Sequence, residues 1–351
     1  MSTDQNSDTI QVRIDEQFDV EKLAAYLKDR LPGATHSLLV RQFGGGVANL
    51  TYLLDFGTHQ YVLRRPPLGP VAKSAHDMGR EYKVLSVLHQ VFSCAPRAFL
   101  YCDDPSIIGA DFFVMERRHG VVVRRFMPLE FAALPDAPRR MSMALVDALA
   151  EFHAVNYQAI GLDDLGEPDG FITRQIEGWY KRWHAAKTEE VADMDSAYTW
   201  LKSHQPTTSA YSLVHNDYKL DNIMFDSDDP GKIVGIFDWD MCTLGDPLND
   251  LGALLSYWTE PTDPKYFLSM ATMPTVGFMT RRELVERYAK KSGRSIHDIN
   301  FYHALGLFRL TVIIAQIYIR FHRGQTQDQR FAAFGKMIPL MARAALETTG
   351  T

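Results

Sequence analysis

The chain has 351 residues, enough for two moderate domains, and its 46% hydrophobic and 23% charged residues are typical of a globular protein. Its 37 basic and 43 acidic residues give a formal charge of −6, which argues against a nucleic-acid scaffold. Three cysteines without metal-ligand spacing fit a reducing compartment, so we expect a cytoplasmic protein that binds no nucleic acid.

The first third of the chain is predicted to consist mainly of strands. About ten polar residues begin it; they are expected to be disordered and lack the pattern of a secretory signal. A helix is expected at 20–31, followed by strands at 36–43, 47–56, 59–65, 98–101 and 112–117. A second helix, at 74–92, carries Glu81 on the face that should point to the core. A buried carboxylate needs a partner, so this glutamate is expected to be paired.

The rest of the chain is predicted to be mainly helical. Helices are expected at 137–157, 170–187, 195–204, 247–257, 281–291, 301–322 and 329–347. The apolar run Ala304–Ile319 is too short to span a bilayer comfortably and contains Arg309, so we expect a buried helix and no membrane association. A strand-rich first third and a helical remainder predict an α+β, two-lobed fold: an N-terminal antiparallel sheet with one helix at 1–117, and a larger helical lobe at 118–351.

The most informative stretch runs from Leu213 to Asp240. Three short strands are expected here, and polar residues follow them: Asp217 and Asn222 lie in and at the end of one loop, and Asp238 follows the last strand. Because a hairpin joins the strands, we expect these three side chains to lie close together. Carboxylate and amide oxygens suit a divalent cation, and a carboxylate can accept the proton of a hydroxyl group.

This stretch fills the pattern H-x-D-x-x-x-x-N with His215, Asp217 and Asn222, and continues as IFDWDMCTLGDPLNDLG. It resembles the catalytic core of the aminoglycoside phosphotransferase and choline kinase superfamily, a relative of the protein kinases. Within it, the chain is most similar to the branch related to the kinase-like domain fused to acyl-CoA dehydrogenases. The likeness runs from the glycine triplet near residue 45 through Gly252, and the later string FRLTVIIAQIYIRFHRG is in keeping with it.

The resemblance implies a bilobal protein-kinase-like fold and a phosphotransferase that uses ATP and Mg²⁺, with GTP as an open alternative to ATP. Asp217 would accept or orient the proton of a small-molecule hydroxyl as that hydroxyl attacks the γ-phosphate. Asn222 and Asp238 would hold Mg²⁺. His215 would shape the loop by hydrogen bonding.

The expected nucleotide site begins with the glycine triplet Gly44, Gly45 and Gly46, whose backbone could approach phosphate oxygens, although a triplet alone fits a mobile turn equally well. Arg64 occupies the strand position where protein kinases carry a lysine. It would contact the α- and β-phosphates and pair with Glu81. The next residue, Arg65, should point to the opposite face of the sheet.

Four further residues are assigned by position. The backbone of Glu116 and Arg117 would read the adenine edge, by analogy with the kinase fold. Asp246 suits a helix N-cap, and Asp250 would brace the catalytic loop by resemblance. His153 is expected to be a structural histidine.

The acceptor is expected in the helical lobe, where Arg309, Tyr318, Arg320, His322 and Arg323 are candidates for contacting it. The branch implies a hydroxyacyl-type substrate. An aminoglycoside or choline-type kinase is one alternative, although no acidic cluster for a polycation stands out. A protein kinase is disfavoured because D-F-G and A-P-E are lacking. A nucleotide-binding pseudokinase stays open because arginine replaces the strand lysine.

Overall fold

The computed structural model describes residues 8–44, 49–67, 77–207 and 210–350, which form two compact units. The first unit runs to His119 and takes in Gly235–Met241, while the second comprises Gly120–Val234 and the chain from Cys242 onwards. The N–H of Ile236 donates to the Cys94 carbonyl at 2.8 Å, which ties the returning segment into the first unit. The predicted domains 1–117 and 118–351 stay a prediction. The two units differ from them mainly because Gly235–Met241 belongs to the first unit.

The first unit is built on one antiparallel sheet. Its strands are β1 (Thr9–Ile10), β2 (Leu39–Phe43), β3 (Leu50–Asp55), β4 (Gln60–Arg65), β5 (Ala98–Cys102) and β6 (Phe112–Glu116). Their order is β1-β2-β3-β4-β6-β5, with antiparallel pairing between neighbours. Since Thr9 and Ile10 pair with β2, the expected disorder of the first ten residues is wrong for these two.

Two α-helices lie in the described part of this unit. Helix α1 (Val20–Leu27) buries Leu23 and Leu27 against one face of the sheet, in a core that includes Tyr52 and Leu63. Helix α2 (Met78–Leu88) begins where the Asp77 side chain accepts from the Arg80 N–H. Glu81, in its first turn, is completely buried, as its place on the apolar stripe predicted.

The second unit is mainly helical. Its helices are α3 (Leu129–Ala132), α4 (Ala137–His153), α5 (Phe171–Ala186), α6 (Ala192–Ser203), α7 (Leu248–Tyr257), α8 (Lys265–Ser269), α9 (Arg281–Ser292), α10 (Ile299–His322) and α11 (Phe334–Glu347). The predicted helices correspond to α4–α7 and α9–α11, within a few residues at each end.

Short strands accompany these helices. They are β7 (Val121–Val122), β8 (Ser212–Val214), β9 (Ile223–Phe225), β10 (Ile233–Ile236) and β11 (Thr243–Gly245). One small sheet has the order β10-β9-β7, and β11 pairs antiparallel with β8. β7 has only two residues, too few for an alternating pattern, so the sequence did not indicate it.

Two glycines bring α7 and α10 into backbone contact. A β-carbon at Gly252 would lie 2.3 Å from the Tyr302 carbonyl oxygen, and one at Gly306 would lie 2.5 Å from the Gly252 carbonyl oxygen. Any side chain at these positions would push the helices apart. This close crossing fixes the position of Asp250 and Tyr257 on α7 relative to Arg309 on α10.

Helix α10 is the central helix of the second unit. Its 24 residues are long and apolar enough to cross a membrane by length and composition alone, and 56% of its most apolar window is buried inside the unit. It packs against α5, α7 and α11. The prediction of a buried helix is confirmed for the residues that face these neighbours.

Candidate active site

Arg64 lies at the centre of the charged cluster in the first unit. It is 6% exposed; its Nη1 pairs with Glu81 Oε1 at 2.9 Å and its Nη2 donates to Asp238 Oδ1 at 2.8 Å. Burial alone would lower the pKa of Arg64, but the carboxylates of Glu81 and Asp238 outweigh it and raise that pKa. The predicted pairing of Arg64 with Glu81 is confirmed.

Strand alternation explains why Arg64 and Arg65 have different partners. Arg65 lies on the face covered by α1, where its guanidinium donates to the Tyr52 hydroxyl, the Glu16 carbonyl and the Ile108 carbonyl. Side chains of successive strand residues point to opposite faces, so Arg64 faces α2 instead. The prediction that Arg65 points away from the cluster is confirmed.

Glu81 lies near one cation, Arg64, and two carboxylates, Asp238 and Asp240. Burial raises its pKa to about 8, although Arg64 pulls it down, and Asp238 and Asp240 add to the increase. Its Oε1 also accepts from the Trp239 N–H at 3.3 Å, which holds the segment after Asp238 against α2.

The backbone at Asp238 is in the left-handed region, with φ of 70°. This conformation is uncommon for residues other than glycine. Residues in such strained conformations cluster at functional sites, where surrounding contacts hold them in place. Here the Arg64 ion pair and the Trp239 N–H bond to Glu81 hold the segment on both sides. Two residues later, Asp240 accepts a long hydrogen bond from the buried Asn49 amide at 3.4 Å.

The remaining predicted nucleotide residues are placed as follows. Gly44 lies in an exposed turn after β2, and Gly45 and Gly46 lie outside the described residues. The Glu116 N–H donates to the Arg97 carbonyl at 2.8 Å, and the Arg117 side chain donates to Gln60 at 2.7 Å. The Glu116 N–H is therefore already used, and the adenine contact of these two residues stays a prediction.

Asp217 is the centre of the second unit's polar loop. Its Oδ2 accepts from Lys219 Nζ at 2.7 Å and from Asn222 Nδ2 at 3.0 Å, while its Oδ1 makes no hydrogen bond within the described residues. His215 Nδ1 accepts from the Asp217 N–H at 3.2 Å, so the predicted loop-shaping role of His215 is confirmed. Oδ2 is thus held by two hydrogen bonds, and Oδ1 is left open to a ligand.

Lys219 was missed by the sequence interpretation, although it lies inside the motif two residues after Asp217. Burial would lower the pKa of Lys219, but the negative charge of Asp217 outweighs it and raises that pKa, so the ammonium stays charged. Its Nζ also lies 5.4 Å from the centre of the Tyr257 ring. The position of this lysine inside the motif, two residues after Asp217, could have identified it from the sequence.

Asp250 braces the loop from beneath, as the resemblance implied. Completely buried, it accepts from the backbone N–H groups of His215 (2.6 Å) and Asn216 (2.8 Å) and from His153 Nε2 (3.2 Å). Asn216 itself has φ of 63°, so the brace also holds a left-handed residue. His153 Nδ1 bonds to the Tyr288 hydroxyl at 2.7 Å, which confirms its structural role.

The prediction that Asp246 is the N-cap of α7 is wrong by one residue. The N-cap of α7 is Pro247, and Asp246 Oδ1 accepts from the Leu248 N–H at 2.9 Å. Its Oδ2 accepts from the Tyr302 hydroxyl at 2.7 Å. The carboxylate therefore links the start of α7 to α10 as well as satisfying the first turn.

The predicted Mg²⁺ ligands offer suitable chemistry. Asn222 uses its amide N–H to bond Asp217, which leaves its carbonyl oxygen as a donor to a metal. The Asp238 side chain keeps 30% of its surface exposed. Within the described residues there is no cluster of three or more His, Cys, Asp or Glu side chains that could hold a metal. Mg²⁺ in kinases commonly takes only one or two protein ligands besides phosphates and water, so each of these side chains taken by itself is a suitable ligand.

The structure brings together Arg64, Glu81 and Asp238 in the first unit, and Asp217 with Asn222 in the second. The predicted proximity of Asp238 to Asp217 and Asn222 stays a prediction. Among the acceptor candidates, Arg309 is buried, Tyr318 is half-buried, and Arg320, His322 and Arg323 are exposed near the end of α10.

Comparison with known proteins gives consistent matches. A model of the phosphotransferase enzyme family matches residues 39–283. The rat (Rattus norvegicus) acyl-CoA dehydrogenase family member 11 is 32% identical over 99% of this chain, which spans 45% of that protein. The chain therefore spans about half the length of the curated relatives that it matches.

Solved structures show the same fold. A protein from Ralstonia eutropha that carries the provisional name aminoglycoside phosphotransferase is 31% identical, with a TM-score of 0.81 over 95% of this chain and 99% of its own. An aminoglycoside phosphotransferase in ternary complex with AMP-PNP and hygromycin B has 15% identity, a TM-score of 0.60 and coverage of 94% and 100%; it shows the fold alone. Choline kinases are also among the structural neighbours.

These matches cover the charged cluster of the first unit and the Asp217 loop of the second. The predicted α+β kinase-like fold is confirmed, as is the likeness to the acyl-CoA dehydrogenase-associated branch. The chain belongs to the phosphotransferase enzyme family that includes aminoglycoside phosphotransferases.

Proposed function

We propose that this protein transfers the γ-phosphate of ATP, with Mg²⁺, to a hydroxyl group of a small molecule. The observation that carries the proposal is the state of Asp217: Lys219 and Asn222 hold Oδ2, and Oδ1 has no hydrogen bond within the described residues. A carboxylate held in this way can accept a proton from a substrate hydroxyl. Family membership supplies the reaction class.

In the proposed reaction, Asp217 Oδ1 takes the hydroxyl proton as the oxygen forms a bond to the γ-phosphorus. The bond from that phosphorus to the bridging oxygen breaks, and ADP leaves with the bonding electrons. Arg64 would bind the nucleotide phosphates while Glu81 fixes its guanidinium. Asn222 and Asp238 would hold Mg²⁺, which neutralises phosphate charge when bound. Lys219 and Asp250 keep the loop in place.

We further propose that the acceptor is of hydroxyacyl type. Two features support this: the relatives are acyl-CoA dehydrogenase family members, and an apolar cavity of about 190 Å³ lies in the second unit. Its wall includes Tyr257, whose ring lies near Lys219, and Leu310, Ile313 and Ile317 of α10. An apolar cavity of roughly 150 Å³ accepts a molecule of benzene size, so this one has room for a short aliphatic chain.

The test is ATP-dependent phosphorylation of a panel of hydroxylated metabolites, including hydroxyacyl compounds of increasing chain length, read as a mass gain of one phosphoryl group. Asp217→Asn should lower turnover by about 10²- to 10⁴-fold while nucleotide binding is retained. Asp228→Asn, which makes the same change on an exposed turn, should leave turnover unchanged. An active Asp217→Asn enzyme would show that the base is another residue.

The regulatory pseudokinase is the alternative that this experiment separates. It predicts stabilisation of the wild-type protein by Mg-ATP with no transfer to any member of the panel. Arg64, in place of a lysine, motivates it, but its pairing with Glu81 preserves the strand-to-helix ion pair that active kinases need.

A further inference from the structure

Two arginine guanidinium groups lie against one indole ring in the second unit. Trp179 and Arg182 belong to α5, and Arg309 belongs to α10. The guanidinium carbon of Arg182 lies 4.5 Å from the Trp179 ring centre and that of Arg309 lies 5.1 Å from it. The indole N–H donates to Gln175 Oε1 at 3.2 Å, so the ring offers its π faces to the cations.

Arg309 lacks the partners that a buried charge normally has, while Arg182 lies on the exposed side of the ring. Arg309 is 7% exposed, its Nε has no hydrogen-bond partner, and neither guanidinium forms a hydrogen bond or ion pair within the described ranges. Partial burial and the positive charge of Arg309 lower the pKa of Arg182. A buried, uncompensated cation next to a second one is costly, and a cation–π contact supplies only part of the compensation.

The groups that face Arg309 place it near the catalytic loop. Besides Trp179 and Arg182, Tyr257 of α7 lies within electrostatic reach of Arg309, and also of Lys219 and Asp217. The close crossing of α7 and α10 at Gly252 and Gly306 holds this arrangement. A ligand could therefore contact Arg309 at one end and approach Asp217 at the other.

We propose that Arg309 and Arg182, stacked on Trp179, form a binding site for an anionic group, a carboxylate or a phosphate, carried by the acceptor substrate. Arg309 supplies the buried cation, and Arg182 supplies a second positive charge from the more exposed side. The assignment of this anion to the acceptor rests on the proposed function; the anion site itself does not. Two guanidinium groups at this position would repel a polycationic acceptor.

The test is isothermal titration of the full-length protein, without nucleotide, with two probes: hexanoate and inorganic phosphate. Arg309→Gln should weaken binding of the recognised probe at least about tenfold, because a charge-assisted hydrogen bond is lost. Arg309→Lys, which keeps the charge but loses the planar fork, should weaken it less. Arg323→Gln removes a cation from the exposed end of the same helix and should not change the affinity.

The two probes separate the two sources of the anion. Arg309-dependent binding of hexanoate identifies a carboxylate, and Arg309-dependent binding of phosphate identifies a phosphoester. Phosphate that binds at Arg64 instead would be insensitive to Arg309→Gln. If neither probe shows Arg309-dependent affinity, the proposal is wrong.

Thermal stability provides a second measurement that a purely structural arginine would not reproduce. Without anion, Arg309→Gln should melt no lower than wild type, because the change removes an uncompensated buried charge. The recognised anion should raise the wild-type melting temperature and leave that of the variant unchanged. Asp217→Asn should keep the anion affinity of the wild type. If the wild-type protein binds the anion through Arg309 but phosphorylates no member of the panel, the proposed function is contradicted and the anion site stands.

Discussion

Arg64 and Arg309 are both buried arginines, but carboxylates surround the first and an indole ring lies against the second. Arg64 makes ion pairs at 2.9 and 2.8 Å with Glu81 and Asp238. Arg309 instead contacts an indole ring and forms no ion pair with a carboxylate of the described residues. Their exposures are nearly equal, at 6% and 7%, so burial alone does not distinguish them. The difference indicates that Arg64 completes a charge network of the protein itself, and that Arg309 is left for a ligand.

The largest expected effect on stability comes from removing Arg64, and the same substitution at Arg309 provides the comparison. Arg64→Met should lower the free energy of unfolding by about 3–5 kcal/mol, because Glu81 and Asp238 lose the guanidinium that compensates them. Arg309→Met should leave the free energy of unfolding unchanged or slightly higher. Urea denaturation of the two variants without nucleotide gives this comparison directly. Equal losses would mean that Arg309 is compensated by the protein after all.

A smaller effect is expected at Asp250, a buried carboxylate whose compensation comes from hydrogen bonds. Asp250→Asn keeps the size but removes the charge that His215 N–H, Asn216 N–H and His153 bond to. We expect a loss of about 1.5–3 kcal/mol in the free energy of unfolding and faster hydrogen exchange at the Asn216 amide. The exposed Asp163→Asn is the matched control. An unchanged exchange rate at Asn216 would show that the loop does not need this brace.

The smallest expected effect is the pH dependence that His153 introduces. Burial lowers the pKa of His153 below its ordinary value of about 6.5, although the hydrogen bond to Asp250 opposes this. Below pH 6.5 the unfolded chain therefore binds a proton that the folded chain does not, and stability falls as the pH falls. His153→Asn should remove up to about 1.4 kcal/mol per pH unit of this slope.

Measuring urea denaturation between pH 7 and about pH 5 tests this. His303, whose burial lowers its pKa to about 4, leaves part of the slope in the variant. The same slope in wild type and variant would contradict the assignment to His153.

The loop around Asp217 was largely predictable because its interacting residues are close together in sequence. Asp217, Asn222 and His215 lie within eight consecutive residues, and the observed bonds among them follow from that spacing. The pairing of Arg64 with Glu81 was also predictable, since strand alternation and helical spacing each put one charge on a buried face. Glu81, a carboxylate on the apolar face of a helix, was the sequence feature that indicated the ion pair.

The pairing of Arg64 with Asp238 was not predictable in the same way. The two residues are 174 positions apart, and only the return of Gly235–Met241 to the first unit brings them within 2.8 Å. The sequence also gave no reason to expect the left-handed backbone of Asp238, because an aspartate after a strand is compatible with ordinary extended geometry. Both features arise from long-range contacts.

The sequence by itself determined the family and the fold class, because short motifs carry the family's chemistry. Only the tertiary structure decided which charges are compensated. In the sequence, Arg309 resembles Arg320 and Arg323 on the same helix, and nothing marks Trp179 or Arg182 for a functional role. The packing of α5 and α10 places Arg309 on an indole beside a second guanidinium. Compensation of a charge depends on what lies within a few ångströms of it in space, which periodicity along the chain does not specify.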